Sequence, residues 1–128
     1  MKGVFPILST PFDSKDNIIF DDVQSEVEYA INSGVNGIAI ALASEIYKLT
    51  DQERNELLKK VVGFANKRIK VCMNTTAEST KLCIEYSKKA EELGADAVMI
   101  APPSFNGVHS NEIKKYFINT ANEINIPI

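Results

Sequence analysis

The chain has 128 residues, 45% of them hydrophobic and 24% charged, with a formal net charge of -3. This is the composition of a globular domain with enough apolar material for one core, and it excludes a disordered chain. The acidic balance and the scattered lysines leave no basic footprint, so neither nucleic acid nor an anionic membrane is an expected partner.

No window approaches the roughly 20 apolar residues of a spanning helix. Met1 to Pro6 is too short an apolar start for a signal peptide, which makes the cytoplasm the expected compartment. Gly3 to Ser9 reads as a first strand, and Pro6, which has no N–H, confines it to an edge or irregular position. Thr10 to Phe12 turns into a polar loop, Asp13 to Asn17. A helix follows, with Asp21 as its expected N-cap, Val23, Val27, Ala30 and Ile31 as its apolar face, and Gly34 as its stop.

Val35 to Ala41 is apolar nearly throughout rather than alternating, as in a parallel strand covered on both faces. It runs into the turn Leu42-Ala43-Ser44-Glu45. Thr50 and Glu53, three residues apart, form a capping box for a helix from Asp51 to about Ala65, with Leu57, Leu58, Val61, Val62 and Phe64 inward. Ile69 to Met73 is a third strand and Asn74 to Glu78 its loop. Ser79 or Thr80 opens the next helix, with Leu82, Tyr86, Ala90 and Leu93 at helical spacing and Gly94 as the stop. Ala97 to Ala101 is a fourth strand, followed by a turn-rich loop, Pro102 to Val108. Ser110 is the expected cap of a helix through Ile113, Tyr116, Phe117 and Ala121. Ile126-Pro127-Ile128 reads as the start of a fifth strand.

Strand centres recur roughly every 30 residues, the length of one strand, one helix and two loops. Gly34 to Ile40 and Gly94 to Ile100 echo one another in pattern, two units apart. Repeating βα units with continuously apolar strands make a parallel sheet, either doubly wound or a (β/α)8 barrel. No GxGxxG follows the first strand and no GxxxxGK[ST] occurs, which favours the barrel. A barrel takes roughly 250 residues and eight strands. The expected fold class is therefore α/β: the N-terminal half of a (β/α)8 TIM barrel, with four βα units and the start of strand five as one partial domain over residues 1–128. Such a half leaves its outer strands unpaired and one sheet face bare, so it belongs to a longer polypeptide or pairs with a second half.

In such folds ligands are met where strand ends become loops, so Ala41 to Lys48 is the first place to look for chemistry. Glu45 is expected to anchor this loop by accepting N–H bonds. Ser44 has no neighbouring His or Asp partner and reads as a turn or carboxylate contact rather than a nucleophile. Tyr47 is an edge residue of the same mouth, and Lys48 is a surface lysine at a helix start. Thr75 and Thr76 either reach the mouth or only end their strand. His109, the sole histidine, has no second ligand at a workable spacing, and no metal site is expected. Cys72 and Cys83 lack any CxxC or Cys/His pairing and read as reduced core thiols.

Phe5 to Phe12, Gly34 to Ile40, Ala41 to Thr50, and Gly94 to Ala97 with Pro102 to Asn106 together resemble the dihydrodipicolinate synthase and N-acetylneuraminate lyase family. The resemblance implies a (β/α)8 class I aldolase acting on pyruvate or a related 2-oxo acid, with no cofactor, as a homo-oligomeric dimer or tetramer. It also implies a Schiff-base lysine on strand six, so that no catalytic residue falls within these 128 residues. Such a lysine must be neutral when it attacks, which a partly desolvated barrel mouth favours. The family's carboxylate-binding Gly-Thr-Thr-Gly-Glu falls on Ala41-Leu42-Ala43-Ser44-Glu45. The resemblance therefore assigns the N–H groups of Ala43 and Ser44, with the Ser44 hydroxyl, to the substrate carboxylate.

A relay threonine corresponds to Leu42 and a tyrosine supplied across the dimer corresponds to Phe105, so both relay hydroxyls are missing. Phe105 remains as a dimer-contact aromatic. Glu78 and Ser104 stand where feedback-regulated members carry an asparagine and a tyrosine. These departures shift the expected activity from dihydrodipicolinate synthesis toward a lyase for another 2-oxo acid. The alternative is a half-barrel or degenerate relative that binds a 2-oxo acid without turnover, or that only self-assembles.

Overall fold

The computed structural model describes residues 1–42, 45–104 and 107–128. In chain order the elements are α1 (Phe20–Asn32), β1 (Gly37–Ile40), a 3-10 turn (Ile46–Lys48), α2 (Asp51–Ala65), β2 (Lys70–Asn74), α3 (Thr80–Glu92), β3 (Ala97–Met99) and α4 (Ser110–Ala121). The strands form a parallel sheet in the order β1-β2-β3. Ile38 lies opposite Val71, Ala39 opposite Cys72, and Cys72 opposite Ala97.

Alternation within each strand separates two faces. Ile38, Ile40, Val71, Met73 and Val98 join Val23 and Val27 of α1, Leu57, Leu58, Val61 and Ala65 of α2, and Ala90 of α3 in the main core. Ala39, Cys72 and Ala97 form a separate row of small side chains on the other face. The apolar run of each strand thus serves two purposes: large aliphatics toward the helices, small residues toward the barrel interior. The Phe5 ring lies against Gly37 on that inner side, where a Cβ would come within 2.1 Å of the ring and 2.6 Å of the Lys70 carbonyl oxygen.

The expected first strand is reduced to one parallel bridge, Ile7 with Ala39. The Leu8 N–H donates to the Ala39 carbonyl and the Ala39 N–H to the Pro6 carbonyl, both at 2.9 Å. Continuing that register by two residues would require an N–H from Pro6 toward Gly37, which proline lacks. At the other end of the chain the Val98 N–H donates to the Pro127 carbonyl at 2.9 Å, but Ile126 to Ile128, expected to begin a fifth strand, forms no strand beyond this single bond.

The sequence echo has a structural meaning. The Asn36 N–H donates to the Val4 carbonyl at 3.1 Å, and its side-chain Oδ1 accepts the Val4 N–H at 2.9 Å. Asp96 repeats the arrangement on Val71: its N–H donates to the carbonyl at 2.8 Å and its Oδ2 accepts the N–H at 2.9 Å. In both repeats a short polar side chain, one residue before its strand, clamps the preceding strand. Gly34 and Gly94, with φ of 71° and 94°, make the left-handed exits from α1 and α3 that lead into these clamps.

Helix boundaries corrected several expectations. The N-cap of α1 is Ile19, without a side-chain cap bond, and Asp21 lies inside the first turn beside Asp22. There its carboxylate faces the positive end of the helix dipole. His109, which is exposed, is the N-cap of α4, and Ser110 is the first helical residue. Ser79, not Thr80, caps α3 by accepting the Leu82 N–H at 3.2 Å. The buried stripe of that helix is Cys83, Ser87 and Ala90, one residue round from the expected one, and Leu82 is exposed. The capping box of α2 is complete: Glu53 accepts the Thr50 N–H at 2.8 Å and the Thr50 hydroxyl accepts the Glu53 N–H at 3.3 Å. The Thr50 N–H is the first cause holding the Glu53 carboxyl below its ordinary pKa.

Candidate functional site

Three loops leave the C-terminal ends of β1, β2 and β3 at one rim of the sheet. The loop after β1 starts from buried Ala41 and is re-anchored four residues after Leu42 by Ile46, whose side chain enters the core. Leu42 is exposed, and Glu45 holds a left-handed backbone, φ 58° and ψ 10°. The Glu45 carbonyl accepts the Lys48 N–H at 2.7 Å, which closes the 3-10 turn. Tyr47 and Lys48 are exposed. The predicted carboxylate contacts Ala43 and Ser44, and the predicted dimer contact Phe105, lie outside the described residues.

The loop after β2 is built from buried polar groups. Asn74, Thr75 and Thr76 are at most 4% exposed, and each polar side chain is spent on a neighbour. The Asn74 side chain accepts the Thr76 N–H and donates to the Thr76 hydroxyl, both at 3.2 Å. The Thr76 hydroxyl also accepts the Ala101 N–H at 2.8 Å, joining this loop to the one after β3. The single Ser87 hydroxyl proton goes to the Cys83 carbonyl at 2.7 Å, so at their 2.8 Å contact Thr75 is the donor and Ser87 the acceptor. Thr75 and Thr76 therefore fasten the rim rather than only ending the strand.

Two further ties close the same loop. Tyr116 of α4 donates its hydroxyl to the Ala77 carbonyl at 3.0 Å and accepts the Ala77 N–H at 3.3 Å. Burial, foremost, pushes the Tyr116 phenol far above its ordinary pKa, consistent with a group held neutral. Glu78 accepts both the hydroxyl of Ser104, at 2.5 Å, and its N–H, at 3.0 Å. On the inner face, Ala39, Cys72, Ala97, Phe5, Met99 and Ile128 border a cavity of about 400 Å³. Burial raises the pKa of the Cys72 thiol there, which keeps it protonated and unreactive. Cys72 and Cys83 are both free and buried.

Among the described residues no group of three or more His, Cys, Asp or Glu side chains is placed to hold a metal. No described helix is long and apolar enough to cross a membrane. Sequence reasoning missed Arg54, which is buried on α2, and the tether role of Tyr116. Only the oddity of an arginine on the inward side of an otherwise apolar helix pointed to the former.

Parallel strands with helices on one face, small residues on the other and loops gathered at the C-terminal rim are the parts of a (β/α)8-type barrel, of which this chain forms one half. The chain belongs to the Dihydrodipicolinate synthetase family, whose model matches residues 1–128. It is 36% identical over 130 residues to a 4-hydroxy-tetrahydrodipicolinate synthase of Methanococcus maripaludis, covering 100% of this chain and 44% of that protein. It is 35% identical over 128 residues to the protein of that name from Methanocaldococcus jannaschii, covering 99% of this chain and 44% of the relative. A crystal structure of a dihydrodipicolinate synthase superposes with a TM-score of 0.95 at 34% identity, covering 100% of this chain and 44% of that one. A second, from Bacillus anthracis, gives 0.92 at 31% identity, with 98% and 44% covered. The chain thus spans less than half the length of these relatives and matches the N-terminal half of their barrel.

Proposed function

We propose that residues 1–128 are the N-terminal partial domain of a Schiff-base-forming lyase or aldolase acting on pyruvate or a related 2-oxo acid. The observation that carries this reading is the short loop after β1 at the strands' C-terminal rim, in a chain whose family match is complete from end to end. In this reading the N–H groups of Ala43 and Ser44 and the Ser44 hydroxyl receive the substrate carboxylate, and Glu45 anchors their loop. The amine nucleophile is a lysine outside these residues. Phe105 is an aromatic contact in a cytoplasmic homo-oligomer.

Leu42 shapes the substrate preference. It presents an exposed hydrocarbon side chain at the rim, where no proton can be relayed. The second substrate is accordingly one whose condensation or cleavage does not need a hydroxyl relay at that position, which favours a lyase for a 2-oxo acid other than the dihydrodipicolinate precursor. The pair Glu78 and Ser104 satisfy each other, which leaves this carboxylate engaged and argues against a feedback site for an amino acid at that place.

Borohydride reduction of the natural-length polypeptide in the presence of pyruvate tests the reading. A lysine carrying the mass of the reduced adduct is the expected outcome. A folded protein that gives no adduct with pyruvate or other 2-oxo acids overturns it in favour of a non-catalytic binding or self-assembling barrel. Replacing Ser44 by Ala should then raise KM for the 2-oxo acid more than it lowers kcat.

A further inference from the structure

Arg54 is 8% exposed, yet no carboxylate forms an ion pair with it among the described residues. A buried cation without a direct counter-charge is costly, so its surroundings must compensate in another way. The guanidinium carbon lies 4.2 Å from the centroid of the Tyr86 ring. The Tyr86 hydroxyl donates to Asp51 Oδ1 at 2.8 Å, which draws electron density into the ring face that Arg54 meets. Burial, then this bond, raises the Tyr86 pKa, so the ring stays neutral. The negative charge of Asp51 therefore reaches Arg54 through an aromatic ring rather than by contact.

The other contact of Arg54 is with the barrel rim. Its Nη2 donates to the main-chain carbonyl of Asn74 at 3.3 Å, at the last residue of β2. Asn74 is the residue whose side chain brackets Thr76, and Thr76 in turn holds the Ala101 N–H. A continuous chain of contacts thus runs from Asp51 at the start of α2, through Tyr86 of α3 and Arg54, to the loops after β2 and β3. The cavity beside it, lined by Asp51, Arg54, Thr75 and Tyr86 among others, holds about 20 Å³. That is room for a water molecule and not for a ligand.

We infer that Arg54 is a positioning residue. From the helix layer it fixes the carbonyl of Asn74, and through Asn74 and Thr76 it fixes the relative placement of two mouth loops. That these loops border a substrate mouth rests on the lyase reading above; the positioning itself is measured without substrate, so the two can fail separately.

The test is hydrogen exchange at single amides in the natural-length polypeptide, comparing wild type with Arg54→Lys, Arg54→Ala, Tyr86→Leu and Tyr86→Phe. Lysine keeps the charge but lacks the planar fork that stacks on the ring and reaches the carbonyl. Exchange at the Thr76 and Ala101 amides should accelerate about tenfold or more in Arg54→Lys and Arg54→Ala, by less in Tyr86→Leu, and least in Tyr86→Phe. The Ala39 and Val98 amides, bonded elsewhere in the sheet, should keep wild-type rates. Low-millimolar ethylguanidinium should restore protection at Ala101 in Arg54→Ala and not in Tyr86→Leu. Uniform acceleration at all four amides in the folded lysine variant, unchanged rates at Thr76 and Ala101, or no rescue by the guanidinium would each overturn the inference.

Discussion

The two ends of the sheet are built differently. At the N-terminal end the same device appears twice: Asn36 and Asp96 each clamp the preceding strand with one N–H and one side-chain oxygen. At the C-terminal end the loop after β2 is fastened by a different partner at each residue, drawn from α2, α3, α4 and the loop after β3. One bonding pattern repeated between neighbouring segments suits the end that only has to set strand register. Bonds drawn from several elements suit the end that carries long connecting loops, whose main chain needs more than one partner to hold a single placement.

Substitutions at the two ends sharpen this contrast, and all are best read as chemical unfolding of the natural-length polypeptide. The largest effect is expected at Gly37→Val, at the clamped end, because the new side chain meets the Phe5 ring and the Lys70 carbonyl at once. A loss of about 3 kcal/mol is expected, since backbone on one side cannot yield. Asp96→Ala should cost about 2 kcal/mol, because it orphans the N–H of buried Val71. The ion pair of Asp96 with the exposed Lys70 adds little to that, being screened by water.

At the rim, Tyr116→Phe should cost between about 1 and 2 kcal/mol by leaving both main-chain groups of Ala77 without a partner. It also carries a pH signature. Because the folded Tyr116 pKa is raised above the ordinary phenol value of 10.0, its contribution is fully present below that value and is lost as pH rises above it. The wild-type unfolding midpoint should fall through the alkaline range, and the phenylalanine variant should show a shallower fall. An equal slope in both would remove Tyr116 from this role.

Thr50→Ala should cost about 1 kcal/mol through the lost cap of α2. The smallest effect is expected at Asn36→Ala, a few tenths to about 1 kcal/mol, although its bonds copy those of Asp96. Val4 is exposed where Val71 is buried, so water replaces the lost acceptor at one site and not at the other. Equal losses at Asn36 and Asp96 would break the argument that burial, rather than bond count, sets the worth of the clamp.

Much of the scaffold was legible in advance. The apolar runs of β1, β2 and β3, the glycine exits of α1 and α3 and the capping box of α2 all follow from short-range pattern. Asp21 and Ser110 are good capping residues, yet the structure starts each helix one or two positions earlier than a cap there would require. The α3 stripe was displaced because Cys83 and Ser87 are less obviously apolar than Leu82; packing against the Tyr116 helix selects Cys83, and the bond to Thr75 selects Ser87.

The sequence by itself determined that the chain is a series of parallel βα units, in which order they come, and which loop follows each strand, because periodicity, caps and turns are properties of neighbouring residues. Only the tertiary structure decided that Thr75, Thr76 and Asn74 turn inward as fasteners, that Tyr116 tethers Ala77, and that Arg54 is buried against Tyr86 beneath the rim. Apart from the Asn74–Thr76 pair, those contacts join residues 12 to 39 positions apart. Polar groups so far apart in the chain acquire partners only when burial removes water as the alternative.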